Sequence, residues 1–365
     1  MNLNDIPLIR LASQHVGGEE LTSPNAIVSW MLAMQAQDFP MAKWAIGVRL
    51  PGSTDRLVDA AIDEAAILRT HLLRPTWHFV CPEDIHWLLE LSAPQIQISM
   101  RARDKVLELT EAVYSKSNKT IEKALTKQGQ LSREALILEL NHAGIPTDQN
   151  RASHLLMRAE LEKIICSGAI LRGKPTYALL AERVSRPRLL VKEEALAELA
   201  SRYFTSRGPA TLQDFIWWSG LPARLARQAL EIVISNLLSE VVDGIAYWLP
   251  RNYNIPAPVQ ATTLLLPTYD EFIISYSDRT ASIPSMLEQH LKAISDRGVF
   301  WPILVENGLV KGIWKRSIKK DIINVEVQLF SKPDSASFEF IKDSARHFAD
   351  FWGKQLEFLP PSQLI

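Results

Sequence analysis

The chain has 365 residues, of which 47% are apolar and 22% are charged, and its formal net charge is −1. This length predicts two to four domains, and the composition excludes a largely disordered protein. No apolar run is long enough to cross a bilayer, and the first residues lack the pattern of a secretory signal. The balanced charge argues against a uniformly basic surface, but 40 Lys and Arg residues allow a local basic groove.

The two cysteines, Cys81 and Cys166, lie far apart and lack the spacing of a metal site. Both are interpreted as reduced thiols, which predicts a cytoplasmic protein. The sequence contains no glycine loop for phosphate, no Ser-His-Asp order and no zinc pattern. Neither a metal nor a cofactor is therefore expected.

The first predicted helix has an unusual end. Ser23 and Pro24 are typical of a helix start, a capping hydroxyl followed by a proline in the first turn. Apolar residues then recur at helical spacing, namely Ile27, Val28, Met31, Leu32 and Met34. Because Pro40 disfavours helical geometry at the preceding residue, the helix is expected to end near Gln37. Two uncharged amides, Gln35 and Gln37, thus lie where the pattern favours apolar side chains.

The next segments have the order of a winged helix. A helix is predicted over 54–65, and ILRTHLLRPTWHFV, residues 67–80, is typical of a two-stranded hairpin. Helices followed by a hairpin recur, with a long helix over NRASHLLMRAELEKIICSG and a hairpin at 169–180. A third hairpin is predicted in SEVVDGIAYWL, with its turn at Asp243-Gly244. We therefore predict three tandem winged-helix units, at residues 1–95, 96–185 and 186–255.

A linker and a β-rich region complete the predicted organisation. The linker, Pro250–Pro258, contains three prolines. Residues 256–365 are predicted to form a β-barrel-like domain, with a hairpin at Asn307-Gly308 and an amphipathic helix over 335–352. The predicted fold class is α+β, with three tandem winged-helix units followed by this C-terminal β-barrel-like domain.

Five separated blocks of the sequence resemble those of one known family. The blocks are MQAQDFP, LLRPTWHFVCPEDIHWLL, RGPATLQDFIWWSGLP, LLLPTYDEFIISYSDR and GLVKGIWKR. They occur in the same order in the AlkZ/YcaQ-like winged-helix DNA glycosylases, and the resemblance runs from about residue 8 to residue 355. One branch of that family has the signature Gln-X-Gln and the other has Gln-X-Asp. Gln35-Ala36-Gln37 is similar to the first, AlkZ-like branch.

This resemblance implies a fold, an activity and a partner. The implied fold is three winged helices and a C-terminal β-barrel, arranged as a C shape around duplex DNA. The implied activity is excision of bulky alkylated purines, including crosslinks through guanine N7, with Gln35 and Gln37 as catalytic residues. The implied partner is double-stranded DNA that carries alkylated purines, which places the protein at the nucleoid. Three different units in one chain, without an evident dimerisation segment, favour a monomer.

Two amides suit this chemistry although they cannot act as a general base. A glutamine carbonyl can hold a water and face developing positive charge. A purine alkylated at N7 or N3 is already cationic, so it leaves without the carboxylate pair that ordinary glycoside hydrolysis requires. Residues 35 and 37 of an ideal helix would nevertheless point to nearly opposite sides. Periodicity alone favours a structural Gln35 and an exposed Gln37, whereas the resemblance favours catalysis. Asp38 is interpreted as a helix-end charge in water, and a carboxylate that supports the glutamines is the alternative.

Polar residues of the first hairpin are candidates for contact with DNA. Because alternate strand residues face one way, Arg74, Thr76 and His78 are predicted to share a face, and Arg69 lies on the paired strand. A solvated wing is the commoner role for such residues. The resemblance favours contact with phosphate and lesion, since it places this strand near the cleft.

A basic cluster in the last domain is a second candidate for contact with the DNA backbone. It includes Lys311 and Lys315. A solvated sheet edge is the alternative. Two other groups are interpreted as structural: Trp217-Trp218 as core, and Asp270 with Glu271 as caps and ion pairs.

The sequence therefore predicts a monofunctional DNA glycosylase that hydrolyses the N-glycosidic bond of bulky alkylated purines. The alternative is a non-catalytic winged-helix DNA-binding protein, such as a transcription regulator. Regulators of that kind are usually two-fold dimers with one recognition helix in each subunit. A glycosylase that binds damage without cutting is a third hypothesis, which only an assay separates from an active enzyme.

Overall fold

The chain forms two compact units. The computed structural model describes residues 1–18, 21–253, 263–283, 294–296, 299–332 and 335–364. Unit 1 consists of Met1–Val58, Ala197–Trp218 and Ala223–Ile365, and unit 2 consists of Asp59–Leu196 and Ser219–Pro222. Most of the predicted proline-rich linker, together with the expected domain boundary at 255–256, lies outside the described residues.

The N-terminal part of unit 1 combines short helices with one short strand. Its elements are α1 (Asp5–Ser13), α2 (Pro24–Met31), β1 (Ala33–Gln35), α3 (Phe39–Gly47) and α4 (Asp55–Asp63), the last of which continues into unit 2. The predicted helix start is confirmed, since the Ser23 hydroxyl accepts a hydrogen bond from the Ala26 N–H at 3.3 Å. The predicted helix end near Gln37 is wrong. Helix α2 stops at Met31, because Leu32 adopts a left-handed φ of 61°.

Pro40 begins a helix instead of ending one. It lies in the first turn of α3, where the N–H that proline lacks would have no partner within the helix. Asp38 caps this helix, and its carboxylate accepts a hydrogen bond from the Met41 N–H at 3.1 Å. Asp38 therefore lies at a helix end, but it is the half-buried cap of the following helix and not a charge in water at the end of α2.

Unit 2 begins with a hairpin and continues as a group of helices. Its elements are β2 (Leu68–Leu72), β3 (Thr76–Val80), α5 (Pro82–Val106), α6 (Glu111–Gln128), β4 (Gln130–Ser132), α7 (Arg133–His142), α8 (Arg151–Leu161), β5 (Ile165–Ser167), β6 (Thr176–Leu179) and α9 (Leu180–Arg183). Strands β2 and β3 pair antiparallel, with Leu68 opposite Val80 and Leu72 opposite Thr76. This pairing confirms the hairpin predicted at 67–80.

The second predicted hairpin begins earlier than expected. Strand β6 pairs antiparallel with both β4 and β5. The sequence predicts β5 as the end of a long helix, which is wrong, because α8 stops at Leu161 and Lys163 adopts a left-handed φ of 61°. The buried core of this region joins the helices to the sheet and includes Ile121, Leu136, Leu155 and Ile165.

Two helices connect the units, and a third hairpin follows them. Helices α10 (Lys192–Arg207) and α11 (Leu212–Ser219) each pass from one unit into the other. Helix α12 (Ala223–Val233) and the strands β7 (Leu237–Val242) and β8 (Ile245–Pro250) belong to unit 1. The hairpin turn predicted at Asp243-Gly244 is confirmed, with φ values of 49° and 79° at these two residues.

The C-terminal part of unit 1 is β-rich, as predicted. Its elements are β9 (Thr263–Leu266), α13 (Glu271–Ile274), β10 (Ser295–Asp296), β11 (Val299–Phe300), β12 (Ile303–Glu306), β13 (Leu309–Lys319), β14 (Ile322–Leu329), α14 (Ser335–Phe351), β15 (Gln355–Phe358) and β16 (Ser362–Gln363). One sheet has the order β15-β14-β13-β12-β9, and β16 also pairs with β14. Helix α14 covers this sheet through Phe348, whose ring lies 4.9 Å from that of Trp314.

The described residues therefore form a mixed α+β fold. None of the described helices is long and apolar enough to cross a membrane. Cys81 and Cys166 are buried and not joined in a disulfide. Burial raises the pKa of the Cys166 thiol to about 12, so this thiol is protonated at neutral pH.

Candidate functional site

The two glutamines lie on an extended segment and not on a helix. Gln35 is the last residue of β1, and Gln37 lies in the bend before α3. The helical spacing that would separate their side chains therefore does not apply. Gln35 is 9% exposed, whereas Gln37 is exposed to solvent. The Gln35 amide is thus buried, and the Gln37 amide, two residues later in the same extended segment, lies at the surface.

The side-chain oxygen of Gln35 is a buried acceptor with unused capacity. Within the described part of the chain, Gln35 Oε1 has no hydrogen-bond partner in the protein. Leaving such an acceptor unsatisfied typically costs about 1–3 kcal/mol. A structural glutamine bonded to nearby backbone, as periodicity alone suggests, would not leave this oxygen unpaired. The arrangement is typical of a group that accepts its hydrogen bond from a water or ligand.

The backbone before Gln35 is fixed by a buried arginine. The Arg207 guanidinium donates to the carbonyl of Met31 through Nη1 and to the carbonyl of Ala33 through Nη2, both at 2.8 Å. These carbonyls flank Leu32, whose positive φ is uncommon for a residue other than glycine. Arg207 therefore holds the backbone on both sides of the strained residue.

A buried carboxylate fixes Gln35 itself. Glu271 Oε1 accepts the Gln35 backbone N–H at 2.8 Å. Glu271 Oε2 accepts from Arg207 Nη2 at 2.9 Å, from Trp218 Nε1 at 3.1 Å and from Ser275 Oγ at 2.5 Å. Glu271 is 1% exposed and Arg207 is fully buried, so this ion pair is shielded from solvent. We call Arg207 and Glu271 together the Arg207–Glu271 brace.

Two further side chains share the electrostatic environment of Asp38, the residue that follows Gln37. Burial lowers the pKa of the Arg316 guanidinium from its ordinary value, and the Asp38 carboxylate opposes this change. Burial raises the pKa of the Tyr269 hydroxyl, and the same carboxylate adds to the increase. Arg316 lies on β13 and Tyr269 immediately precedes Asp270. A cation and a phenol therefore belong to the surroundings of the Gln-X-Gln segment.

The predicted basic cluster lies on the β13–β14 hairpin of unit 1. Lys311 is half-buried and Lys315 is exposed. The chain from Lys315 to Lys320, which we call the basic hairpin end, extends past the part of β13 that packs under α14. Lys315 lies directly opposite Glu326 on β14, so one acidic side chain offsets part of this positive charge.

The predicted DNA-contacting residues of the first hairpin lie in unit 2. The Arg69 guanidinium stacks over the Trp77 ring at 4.0 Å. Arg74 is half-buried and lies between the two strands, so the alternation within β3 does not assign it to a face. Thr76 is half-buried, and its carbonyl lies 2.9 Å from His78 Nδ1. His78 is 1% exposed, which argues against direct contact with phosphate.

His71, the neighbour of these residues in β2, has a structural role. Its Nδ1 pairs with the carboxylate of Glu160, and its ring lies 3.9 Å from that of Trp77. Both members of the pair are buried. The histidine therefore belongs to the hydrogen-bonded interior of unit 2.

The predicted site residues are thus divided between the two units. Unit 1 contains Gln35, Gln37, Lys311 and Lys315. Unit 2 contains the four hairpin residues Arg69, Arg74, Thr76 and His78. The expectation that the glutamines lie close to the Arg74–His78 strand stays a prediction.

The sequence interpretation did not assign Arg207 and Glu271 to the site. Arg207 begins the block RGPATLQDFIWWSGLP, and Glu271 lies within LLLPTYDEFIISYSDR. Both blocks belong to the family resemblance, and that signal could have identified the two residues. The predicted ion pairs of Asp270 and Glu271 are present, with Arg49 and Arg207 respectively. Trp218 is fully buried as predicted, but Trp217 is 41% exposed.

A cavity of about 530 Å³ in unit 1 is separate from the glutamines. It is lined by the end of α3, by β9 and by one side of α14, including Trp44, Leu264 and Phe351. Neither Gln35 nor Gln37 contributes to its wall. Among the described residues, no group of three or more His, Cys, Asp or Glu side chains is arranged to hold a metal ion.

Comparison with known proteins indicates the same family as the five sequence blocks. Residues 28–351 match the model of the family described as DNA glycosylase AlkZ-like. The chain therefore belongs to the AlkZ-like DNA glycosylase family. It is 21% identical, over 359 residues, to the interstrand DNA cross-link repair glycosylase of Streptomyces sahachiroi, covering 91% of this chain and 92% of that protein. The solved structure of the Streptomyces sahachiroi DNA glycosylase AlkZ has the same fold, with a TM-score of 0.81, full coverage of both chains and 18% identity.

Proposed function

We propose that this DNA glycosylase hydrolyses the N-glycosidic bond of bulky alkylated purines, including N7-alkylguanine, and that Gln35 and Gln37 are its catalytic residues. The observation that carries the proposal is the buried Gln35 Oε1, which has no partner among the described residues. It lies two residues from an exposed second amide on a braced, extended backbone. This arrangement supplies a preorganised dipole without a titrating group.

The proposed chemistry needs no general base. An N7-alkylated guanine carries a positive charge, so its bond to the sugar breaks without protonation of the leaving group. The purine leaves as a neutral base with the bonding electron pair, and the enzyme must stabilise the oxocarbenium-like sugar and position one water. That water forms the new bond to the anomeric carbon and releases its proton to solvent. A glutamine carbonyl faces the cation with its negative end and accepts a hydrogen bond from that water. A lesion at the protein surface can contact the exposed Gln37. Burial holds the Gln35 side chain in one orientation.

The exposure of Gln37 also favours large substrates. A pocket that encloses a flipped base limits the size of the adduct that the enzyme accepts. A surface amide imposes no such limit. The relative from Streptomyces sahachiroi is named as an interstrand cross-link repair glycosylase, which supports extending the proposal to crosslinks.

Each of the two compact units has its own proposed contacts with DNA. We propose three tandem winged-helix units at 1–95, 96–185 and 186–255, followed by a barrel-like domain at 256–365. Helix–helix–hairpin order in the described chain supports this division. Arg69, Arg74, Lys311 and Lys315 are the proposed phosphate contacts, since each carries a cation that is exposed or half-buried. The protein would act as a monomer on chromosomal DNA, at the nucleoid in the cytoplasm.

Release of a damaged base tests the function directly. Purified protein in excess would be incubated with a duplex that contains one bulky N7-alkylguanine, and free base would be measured against spontaneous loss without protein. We expect release by the wild-type protein and none from the undamaged duplex. Binding to the duplex without release would instead support the rival interpretation, a DNA-binding protein without activity.

A further inference from the structure

We infer that Glu271 and Arg207 are positioning residues that hold the Gln-X-Gln segment in its extended conformation; this inference rests on the proposed function of Gln35 and Gln37. Neither brace residue is accessible to substrate, since Glu271 is 1% exposed and Arg207 is fully buried. Their contacts are with the backbone of the segment, at Met31, Ala33 and Gln35. They act on the reaction only through the glutamines.

The local sequence favours a different conformation. The apolar pattern of α2 continues through Leu32 and Met34, which is why the sequence predicts a helix as far as Gln37. In such a helix, residues 35 and 37 would point about 200° apart, and the two amides could not face one ligand. The segment needs an external restraint to remain extended.

The brace supplies this restraint at three backbone positions. The Arg207 guanidinium donates hydrogen bonds to the carbonyls of Met31 and Ala33. In a continued helix these carbonyls would accept hydrogen bonds from the helix backbone. Glu271 occupies the N–H of Gln35 in the same way. A positive φ at a residue such as Leu32 costs on the order of 1–3 kcal/mol and persists only where surrounding contacts enforce it.

Strain is present on the other side of the brace as well. Tyr269, two residues before Glu271, has a left-handed φ of 59°. The chain then turns into the short helix α13, which Asp270 caps by accepting the Phe272 N–H at 2.8 Å. The backbone that carries Glu271 is therefore also constrained, and it holds the carboxylate next to the Gln35 N–H. Both ends of the Glu271–Gln35 hydrogen bond are preorganised.

The neighbouring carboxylate provides a matched control. Asp270 is buried like Glu271 and pairs with Arg49, at 2.8 Å to Nη1 and 2.9 Å to Nη2. Arg49 donates to Gln14 and to the Ala45 carbonyl, and neither lies in the Gln-X-Gln segment. Asp270→Asn removes the charge from a buried ion pair of the same type, keeps an amide oxygen that can still accept the Phe272 N–H, and leaves the hydrogen bond between Glu271 and Gln35 in place.

The main variant is Glu271→Asp, which keeps the charge but cannot span Gln35 and Arg207 with a side chain one methylene shorter. We expect its single-turnover excision rate at saturating enzyme to fall about tenfold to a hundredfold, as for a misplaced catalytic group. Affinity for the damaged duplex should stay within about twofold, because no DNA-facing side chain changes. Asp270→Asn should lose stability and keep the wild-type rate per folded molecule.

A second measurement does not depend on activity. Hydrogen exchange of the Gln35 amide should be at least about tenfold faster in Glu271→Asp than in wild type, and unchanged in Asp270→Asn. Ser275→Ala removes one hydrogen bond to Glu271 and keeps both charges, so it extends the test if Glu271→Asp does not fold. If the wild-type protein released no base, only the proposed function would be contradicted. Hydrogen exchange of the Gln35 amide would still test the brace. Wild-type exchange at Gln35 in the variants, or an equal rate loss in Asp270→Asn, would overturn the inference.

Discussion

The Gln-X-Gln segment and the basic hairpin end belong to the same unit but are held in different ways. The backbone of Gln35 is fixed by buried charges, and the Gln35 oxygen is shielded from solvent. Lys315 extends from an exposed strand and faces Glu326 across the hairpin. One region provides amide dipoles on a backbone that is held in place, and the other provides exposed charge in water.

The two regions are therefore expected to serve different steps. A fixed dipole acts strongly on charge that develops a few ångströms away, so it changes the rate of bond breaking. An exposed cation acts on phosphate through a screened, long-range field, so it changes affinity and its dependence on salt. Variants of the two regions should therefore change different measured quantities.

The largest expected effect is on the rate of Gln37→Ala. Loss of one preorganised polar group typically lowers the rate about a hundredfold or more. Affinity for the duplex should be nearly unchanged, because the side chain carries no charge. Single-turnover release of N7-alkylguanine measures the rate. Gln213→Ala, which removes an exposed glutamine from helix α11, is the control and should retain wild-type activity. A wild-type rate for Gln37→Ala would place the catalytic group elsewhere.

Gln35→Met should separate catalysis from stability. Methionine has a similar volume and removes the acceptor that has no partner in the described protein. We expect excision to slow about tenfold or more, while the free energy of unfolding stays constant or increases by about 1 kcal/mol.

The control for Gln35→Met is a buried glutamine whose amide nitrogen and oxygen both have hydrogen-bond partners. Gln14 donates to the Tyr276 hydroxyl and accepts from Arg49, both at 2.9 Å. Gln14→Met should therefore lower the free energy of unfolding by about 1–3 kcal/mol. Denaturant melts of both variants measure the difference. Equal destabilisation of the two proteins would show that the Gln35 amide is structural.

Lys315→Glu should weaken binding and leave the chemical step intact. Each neutralised phosphate contributes a slope of about 0.9 to the dependence of log affinity on log salt, so the slope should fall by about one. The excision rate at saturating enzyme should match that of wild type. Lys315→Arg keeps the charge and should behave like wild type. A salt slope unchanged by Lys315→Glu would remove this residue from the interface.

Among the glutamine variants, Gln37→Asp is expected to have the smallest effect on rate. A carboxylate faces a developing cation at least as well as an amide does, so excision should stay within about tenfold of wild type. Unlike the amide, the carboxylate titrates, so activity should decrease as the pH falls through its pKa of roughly 4. Rate–pH profiles of both proteins measure this change. Inactivity of the variant at neutral pH would show that the amide N–H, and not the dipole, is required.

Much of the local architecture was predictable from the sequence. The Ser23 cap, the strands of 67–80 and the Asp243-Gly244 turn depend on residues that are close in the chain. The glutamine pair was identified through the family blocks, because periodicity alone assigned it to a helix end. The end of α2 and the start of α3 were missed, since hydrophobic periodicity does not register a residue with a left-handed φ.

Helices and hairpins form where local residues favour them, because caps, turns and apolar periodicity act over a few residues. The conformation of the Gln-X-Gln segment depends instead on contacts that are distant in the chain. Arg207, which bonds the Met31 carbonyl, is 176 residues away, and Glu271, which bonds the Gln35 N–H, is 236 residues away. Hydrogen bonds from buried charges at such distances outweigh a local helical preference of at most about 1 kcal/mol per residue. As a result, a stretch with a local preference for helix is extended, and its two amides form a candidate catalytic pair.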